Sequence, residues 1–296
     1  MKKILYSLAA VSMLLVSGCT DDPDQPKNTN RVSGTMPTVI IPDDVKKPAE
    51  FATDILYTFT NYYNTGTWTV GVSNVHADGL SSLSFTTPEL SPSTSRRGME
   101  LNYYSDILSA GTVVKNIRTI ISDSYYYHSD YTTPPLGVYY IVGFNAVNSA
   151  GQGYNVRAFV PNTFYKGNTV STYTTAAGDK KTYTTSVPVM NIVISSDLRS
   201  AALVIYNARF AEEMPAISRM AVNNLKIEPD RLYGYRITGN AIDPMVGEGD
   251  HSVAYPQFKF YDIEFHPTNP EMTQGQLSFK VGDRYSAVFR GSILPQ

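Results

Sequence analysis

Three residues that could carry chemistry alternate along one predicted strand near the end of the chain. Asp262, Glu264 and His266 lie two positions apart, so a strand would place their side chains on one face. Two carboxylates and an imidazole on one face could bind a metal ion or act as a general acid and base. The same pattern is typical of the solvated face of a strand whose other face buries Ile263 and Phe265. Both interpretations stay open at this point.

A second group of candidate residues is a run of tyrosines in the first half of the chain. Tyr125, Tyr126, Tyr127 and Tyr131 are close together in the sequence. Tyrosine combines an apolar ring with a polar hydroxyl, which suits the recognition of a sugar or of a protein. We predict a ligand-binding platform at these four residues, with strand and loop packing as the alternative.

The third candidate is Cys19, the single cysteine among 296 residues. It follows two lysines, Lys2 and Lys3, and the mainly apolar run Ile4–Val16. A positive start, an apolar run and small residues before the cleavage point are the layout of a secretory signal. The apolar run is too short to span a bilayer, which requires roughly 20 residues. The sequence therefore predicts an exported protein.

The segment 15–19, with the sequence LVSGC, resembles the lipobox of bacterial lipoproteins. This resemblance implies a signal peptide over 1–18 and a lipid attached to Cys19, which would anchor the protein to a membrane. The acidic stretch 20–24 is similar to the surface-export signal of Bacteroidota lipoproteins, with a plain solvated tether as the alternative. Residues 19–48 are rich in Pro, Asp, Asn and Thr, so we predict a lipidated cysteine followed by a flexible tether. We expect an outer-membrane lipoprotein, exposed at the cell surface if the acidic residues act in export.

The composition and the absence of catalytic motifs argue against two function classes. The net charge is −2, so nothing favours nucleic acid as a partner, which would require a basic face. The sequence contains no Gly-x-Ser-x-Gly, no phosphate-binding glycine-rich loop and no His-Glu-x-x-His, and it has only four histidines. We therefore expect a protein that is not an enzyme and that has no cofactor.

The distribution of apolar residues indicates the fold class. Charged residues make up only 17% of the chain. The chain contains 22 tyrosines and 12 phenylalanines, and aromatic residues are enriched in strands. Apolar residues alternate with period two in several segments, including 138–146 and 277–281. We predict an all-β protein of antiparallel meanders, forming one or two small barrels or sandwiches with few short helices. A hairpin is expected at Gly282 and a β-bulge near Tyr261, while 105–122 remains ambiguous between strand and short helix.

The order of strand and turn patterns in the first half recurs loosely in the second half, which suggests a tandem duplication. We accordingly predict a first β domain over 49–166, a linker over 167–186 and a second β domain over 187–296. The linker is assigned because its composition is rich in Gly, Thr, Ser and Lys. A single barrel that uses both halves is the alternative.

A more specific pattern lies in the predicted second domain. Asn207-Ala-Arg-Phe210 is followed by Met214-Pro215. This arrangement resembles the calycin-like or lipocalin-like β-barrel domains of Bacteroidota cell-envelope lipoproteins. The resemblance implies a closed barrel and leaves open whether the barrel encloses a cavity.

These features lead to one main functional expectation and two alternatives. We expect a lipid-anchored cell-envelope protein with a non-enzymatic binding or assembly role, whose ligand is a glycan, a lipid or another envelope protein. The first alternative is an adhesin or structural surface subunit, in which strand edges pair with partners. The second is a hydrolase that uses Asp262, Glu264 and His266.

Overall fold

The computed structural model describes residues 29–95, 98–123, 138–186 and 189–293. Across these ranges the regular structure is 23 β-strands, and the helices are two short 3-10 turns, Gly249–His251 and Pro256–Phe258. The predicted all-β class is therefore confirmed. Over the same ranges, no helix has the length and apolar character needed to cross a membrane.

The first part of the chain forms two antiparallel sheets that pack face to face as a sandwich. The smaller sheet has the strand order β1-β4-β5-β6, and the larger has the order β3-β2-β12-β11-β10-β8-β7, with β9 paired to β10. The strands of the smaller sheet are β1 (Thr29–Thr35), β4 (Leu56–Tyr62), β5 (Thr67–Ala77) and β6 (Leu80–Thr86). Those of the larger sheet are β2 (Thr38–Pro42), β3 (Glu50–Ala52), β7 (Ser93–Ser95), β8 (Gly98–Tyr103), β9 (Ile107–Ser109), β10 (Thr112–Asp123), β11 (Val138–Val147) and β12 (Gly153–Ala158).

Alternating side chains from both sheets fill the space between them. On β11, Tyr140 and Phe144 point into this core and are buried. The Tyr140 ring stacks on Phe59 of the smaller sheet at 4.5 Å between centroids, and Phe144 meets Phe85 edge to face at 5.1 Å. Because a strand alternates its side chains, Ile141, Gly143 and Asn145 of β11 lie on the opposite face of the larger sheet.

The rest of the chain forms a closed barrel of eight antiparallel strands. The strand order is β16-β15-β13-β23-β22-β21-β18-β17, and pairing between β16 and β17 closes the ring. The short strand β14 pairs with β13, and β19 and β20 extend from β17. The strands are β13 (Asn162–Thr174), β14 (Lys180–Thr185), β15 (Val189–Ile194), β16 (Ser200–Ala208), β17 (Ile217–Asp230), β18 (Gly234–Gly239), β19 (Met245–Val246), β20 (Val253–Ala254), β21 (Phe260–Pro267), β22 (Gln274–Val281) and β23 (Tyr285–Ser292).

Aromatic side chains fill the interior of the barrel. Phe210, Phe260, Phe265, Phe279 and Tyr235 are each at most 2% exposed. The Phe279 ring lies 5.0 Å from Phe260 and 5.5 Å from Phe210, centroid to centroid. An eight-stranded barrel is just wide enough for its own side chains to fill it. The barrel therefore has a packed core.

A row of three glycines crosses neighbouring barrel strands at points where a ring or the backbone of the next strand approaches closely. Gly275 of β22 pairs with Gly291 of β23, which pairs with Gly167 of β13. A Cβ on Gly275 would lie 2.5 Å from the ring of Phe265. Such glycines in a strand commonly mark a close approach or a tight bend of the sheet.

The sandwich and the barrel meet along the outer face of the larger sheet. The Phe159 ring, directly after β12, lies 4.8 Å from Tyr235 of the barrel. Arg231, between β17 and β18, donates hydrogen bonds to the carbonyl oxygens of Pro42 at 2.6 Å and Lys47 at 2.5 Å. Apolar contact and charge-assisted hydrogen bonds thus join the two parts.

Two predicted domain boundaries are wrong. The tether predicted over 19–48 is too long, because β1 begins at Thr29 and pairs along its length with β4. The linker predicted over 167–186 lies within the barrel, since β13 pairs with β23 as far as Tyr173 and with β14 to Thr185. The first unit ends near Ala158 and the second begins near Asn162.

The predicted duplication does not extend to the topology, because one unit is an open sandwich and the other a closed barrel. Local predictions fare better. The hairpin at Gly282 joins β22 to β23, and the register between β21 and β22 shifts after Tyr261, where the bulge was expected. The ambiguous segment 105–122 forms strands β9 and β10. A closed barrel in the second half was also expected and is confirmed.

Candidate functional site

A concave site lies where the larger sheet of the sandwich faces the barrel loop between β21 and β22. This cleft has a volume of about 400 Å³, within the usual range for small-molecule sites. Its floor is partly apolar, and its polar groups come from β10, β11, β12 and the barrel loop. The lining includes Tyr104, Arg118, Gly143, Asn145, Asn155, Arg157 and Glu271.

Strand alternation places the polar residues of β12 in the cleft. Tyr154 and Val156 of this strand are buried in the sandwich core, so Asn155 and Arg157 lie on the opposite face. Asn145 of β11 is directly opposite Asn155 in the antiparallel register and shares its face. Cross-strand neighbours on one face are close enough to bond to each other.

Gly143 opens the floor of the cleft beside these residues. It lies on the same face of β11 as Asn145, two positions away. A Cβ added to Gly143 would meet only the carbonyl oxygen of Val156, at the ordinary contact distance of 3.7 Å. A larger side chain at this position would therefore occupy the cleft without colliding with the sheet.

A hydrogen-bonded chain of three side chains crosses the cleft wall. Arg157 donates from Nε to Oδ1 of Asn155, and Asn155 donates from Nδ2 to Oδ1 of Asn145 at 2.8 Å. Arginine can only donate, so Asn155 must turn its oxygen to Arg157 and its amide nitrogen to Asn145. Asn145 lines the cleft, and no described residue accepts a hydrogen bond from its Nδ2. The chain therefore leaves donors at both ends, at the Nη atoms of Arg157 and at Nδ2 of Asn145.

An ion pair crosses from the barrel to the sandwich at the rim of the cleft. The Nη1 atom of Arg118 lies 2.9 Å from Oε1 of Glu271, whose side chain is only 16% exposed. The loop that carries Glu271 is held by Asn269, whose Oδ1 accepts the backbone N–H groups of Thr273 and Gln274 at 2.9 Å each. Glu271 is thus positioned by its own loop as well as by Arg118.

The electrostatics of the cleft centre on Arg157. Burial lowers the pKa of Arg157, and the negative charge of nearby Glu271 partly opposes this change. The guanidinium nevertheless stays charged, because an arginine in a protein does not lose its proton. The lining holds two arginines and one carboxylate, so its formal charge is +1.

The residues predicted for a metal site are not brought together as a metal site. Asp262 lies in the bulge of β21 with a φ of 48°, and its Oδ2 accepts a hydrogen bond from Nζ of Lys280 at 2.7 Å. This bond raises the pKa of Lys280. Glu264 lies 3.9 Å from Nη1 of Arg236. The bulge interrupts the alternation on which the shared face depended, and each carboxylate has its own basic partner.

His266, the third member of that predicted group, stacks on Tyr233 at 3.9 Å between ring centroids. Its Nδ1 atom lies 2.9 Å from the carbonyl oxygen of Pro267. Within the part of the chain that the structure describes, no three His, Cys, Asp or Glu residues form a group that could hold a metal ion.

The other predicted site residues lie outside the described residues. These are Cys19 and the four tyrosines Tyr125, Tyr126, Tyr127 and Tyr131. Of the tyrosines close to them in sequence, Tyr140 is a core residue, whereas Tyr104 is 65% exposed and lines the cleft.

The residues of the cleft were not among the candidates predicted from the sequence. A usable signal exists for Asn145, Asn155 and Arg157, since each alternates with residues of a predicted strand core. Their shared face could have been read as a polar wall. Glu271 has no such signal, because it reaches the cleft only through the packing of the barrel on the sandwich.

Comparison with known proteins identifies only distant structural neighbours. No protein-family model and no curated protein matches the sequence. Transferrin binding protein B from serogroup B Neisseria meningitidis is 7% identical, with 90% of this chain and 77% of that chain covered at a TM-score of 0.28. The same protein from Haemophilus parasuis Hp5, a mutant form, is 8% identical, with 90% and 76% covered at a TM-score of 0.28. Superpositions this loose carry no information on function.

Proposed function

We propose that this protein is a lipid-anchored, non-enzymatic binding protein of the bacterial cell envelope, and that its ligand occupies the cleft between sandwich and barrel. The observation that carries the proposal is the cleft itself, an open site of about 400 Å³ whose wall ends in hydrogen-bond donors. Convergent polar groups over a partly apolar floor are typical of a small-molecule site.

The packing of the barrel argues against the other obvious location for a ligand. A carrier of the lipocalin type would hold its ligand inside the barrel. Here Phe210, Phe260 and Phe279 contact one another across the interior, and all three are buried. A ligand would have to displace these rings, so the interior serves as the structural core of the scaffold.

The anchor in this proposal is Cys19. Residues 20–28 separate it from Thr29, where the first strand begins. A segment of this length reaches at most about 30 Å when fully extended. A lipid on Cys19 would therefore hold the sandwich close to the membrane surface, in the outer membrane as the sequence suggests.

Lipid attachment is tested by labelling cells with an alkyne fatty acid. We expect the wild-type protein to take up the label and to sediment with the membranes, and Cys19→Ser to do neither. An unlabelled wild-type protein would overturn the anchor.

Use of the cleft is tested with a matched pair of glycine substitutions. Gly143→Val fills the cleft, whereas Gly71→Val adds the same side chain to the middle of β5 on the outer face of the other sheet, where a Cβ meets nothing closer than 3.4 Å. Thermal shift and calorimetry are run on the chain from residue 20 with a panel of saccharides, amino acids and lipids. We expect at least one ligand that binds the wild type and Gly71→Val but not Gly143→Val. Ligands that bind all three proteins equally would refute the cleft as the site.

An assembly role is the second candidate, because the smaller sheet has open edges. Among the described strands, β1 pairs only with β4 and β6 pairs only with β5. An unpaired strand edge can accept a further strand from a partner. Analytical ultracentrifugation across a range of concentrations tests self-assembly, and a protein that stays monomeric throughout would exclude it.

A further inference from the structure

We infer that the ligand of the cleft is an acidic saccharide, bound through its carboxylate at Arg157 and Asn145. This inference rests on the proposed function and names the class of ligand for that site. It depends on three observations: the direction of the hydrogen bonds, the balance of charge and the exposed ring at the rim.

The direction of the hydrogen bonds selects a ligand group that accepts. Arg157 uses Nε for Asn155, and no described residue bonds to its Nη atoms. Asn145, which also lines the cleft, uses its oxygen to accept from Asn155, and no described residue accepts from its two N–H groups. Donors at both ends of one wall select a ligand group that accepts hydrogen bonds, and a carboxylate is the acceptor that a guanidinium group binds in a bidentate manner.

The balance of charge favours an anion over a neutral acceptor. Glu271 makes its ion pair with Arg118 at 2.9 Å, while the half-buried Arg157 donates its hydrogen bond to the neutral amide oxygen of Asn155. The charge of Glu271 offsets only part of the cost of burying the Arg157 guanidinium, and a bound anion relieves the remaining cost. The net charge of +1 in the lining matches a ligand that carries a single negative charge.

The surroundings of the donors suit a sugar ring. Tyr104 stands at the rim with 65% of its surface exposed, and Ile141 and Met272 contribute apolar surface to the same cleft. An aromatic or aliphatic surface can contact the C–H face of a pyranose, while Asn116 is close enough to the lining to meet a hydroxyl. A free carboxylate of one or two carbons would use the donors but none of these surfaces.

The inference is tested by calorimetry with four probes: D-galacturonic acid, its methyl ester, D-galactose and acetate. We expect galacturonic acid to bind at least tenfold more tightly than the other three. Equal binding of the ester or of galactose would overturn the carboxylate, and equal binding of acetate would overturn the saccharide.

Two arginine variants sharpen the test. Arg157→Gln should weaken galacturonic acid at least tenfold, because it removes the charge and the Nη donors. Arg290→Gln is the matched control, since Arg290 also donates from Nε to an amide oxygen, that of Gln276 at 2.8 Å, but lies on the exposed face of the barrel. Asn145→Leu provides a second cleft variant if Arg157→Gln does not fold, as judged by circular dichroism. Unchanged affinity in a folded cleft variant would overturn the inference.

The results separate this inference from the proposed function. If galactose and galacturonic acid bind alike and Gly143→Val abolishes both, the cleft remains the site while the acidic ligand is refuted. If no saccharide binds but Gly143→Val abolishes the binding of another ligand, the cleft again remains the site and the acidic saccharide is refuted. If Gly143→Val affects no ligand, both proposals fail.

Discussion

The interior of the barrel and the cleft beside it are both lined by antiparallel strands. Side chains fill the barrel interior, whereas the cleft is open. In the barrel, closure turns one face of every strand towards a single axis, and rings such as Phe265 and Phe279 use all the space there. The larger sheet of the sandwich instead has two faces, of which one is buried against the smaller sheet and the other is covered only in part by the barrel. Closure of the barrel therefore provides stability, whereas the part of the larger sheet that the barrel does not cover provides a site.

The largest expected effect comes from the barrel core. Phe279→Ala removes a ring that is 2% exposed and contacts Phe210 and Phe260. We expect a loss of about 3–5 kcal/mol in the free energy of unfolding, typical of large-to-small changes in a packed core. Urea denaturation measures this loss. A loss below about 1 kcal/mol would mean that the interior is not tightly filled.

The next effect concerns the joint between the two units. Arg231→Met keeps the aliphatic stem but removes the hydrogen bonds to the carbonyl oxygens of Pro42 and Lys47. We expect a loss of about 2 kcal/mol in the free energy of unfolding, because hydrogen bonds to a charged group contribute more than neutral ones. Ligand affinity at the cleft should fall as well, since the barrel helps to form it. Arg290→Met, on the exposed barrel surface, serves as the control and should change neither quantity.

Alkaline pH distinguishes buried tyrosines from exposed ones. Burial raises the pKa of Tyr165 to about 12 in the folded barrel, against 10.0 for an unperturbed tyrosine. The folded state therefore retains a proton that the unfolded state releases, and this contribution to stability is fully present below pH 10 and is lost between pH 10 and about 12. The expected slope is about 1.4 kcal/mol per pH unit for each such group.

The pH dependence can also be assigned to one unit or the other. Burial raises the pKa of Tyr235 in the barrel and of Tyr57 in the sandwich as well. Tyr165→Phe should reduce the slope of unfolding free energy against pH above pH 10, and adding Tyr235→Phe should reduce it further. An unchanged slope in the double variant would contradict burial of these hydroxyls.

The smallest effect is expected on the outer face of the barrel. Asp262→Asn removes the ion pair with Lys280, and both side chains are more than half exposed. Ion pairs between exposed side chains contribute little to stability, so we expect no resolvable change in Tm. Zinc or calcium should not raise the Tm of the wild type relative to this variant. A metal-dependent rise that Asp262→Asn abolishes would restore the metal site predicted from the sequence.

The fold was predictable wherever the pattern is local. Alternation identified β11 and β22, and the phase change around Tyr261 located a bulge that the register shift confirms. The hairpin at Gly282 was equally visible, because a short polar turn between two alternating runs is sufficient to specify it. Each of these features depends only on neighbouring residues in the chain.

Local composition gave wrong predictions where a strand is stabilised by residues that are distant in the sequence. The segment around Gly167 has the composition of a linker, yet β13 is a central barrel strand with partners on both sides. Gly167 is needed there because Gly291 and Arg290 of the next strand approach it closely. A requirement of this kind arises from the closed sheet and is invisible in the segment itself. The tether was overestimated for a similar reason, because β1 is largely polar and is held by pairing with β4.

Residue type and short spacing were sufficient to predict the all-β class, the faces of individual strands and the resemblance of the segment around Cys19 to a lipobox. Tertiary structure decided which strands close a barrel, whether its interior is filled and which polar face becomes a site. Asn155 and Arg157 are neighbours on one strand, but they form a cleft only because Glu271 is brought to them across the joint from a residue more than a hundred positions away. That contact depends on how the barrel packs on the larger sheet, so it cannot be predicted from the sequence of either part alone.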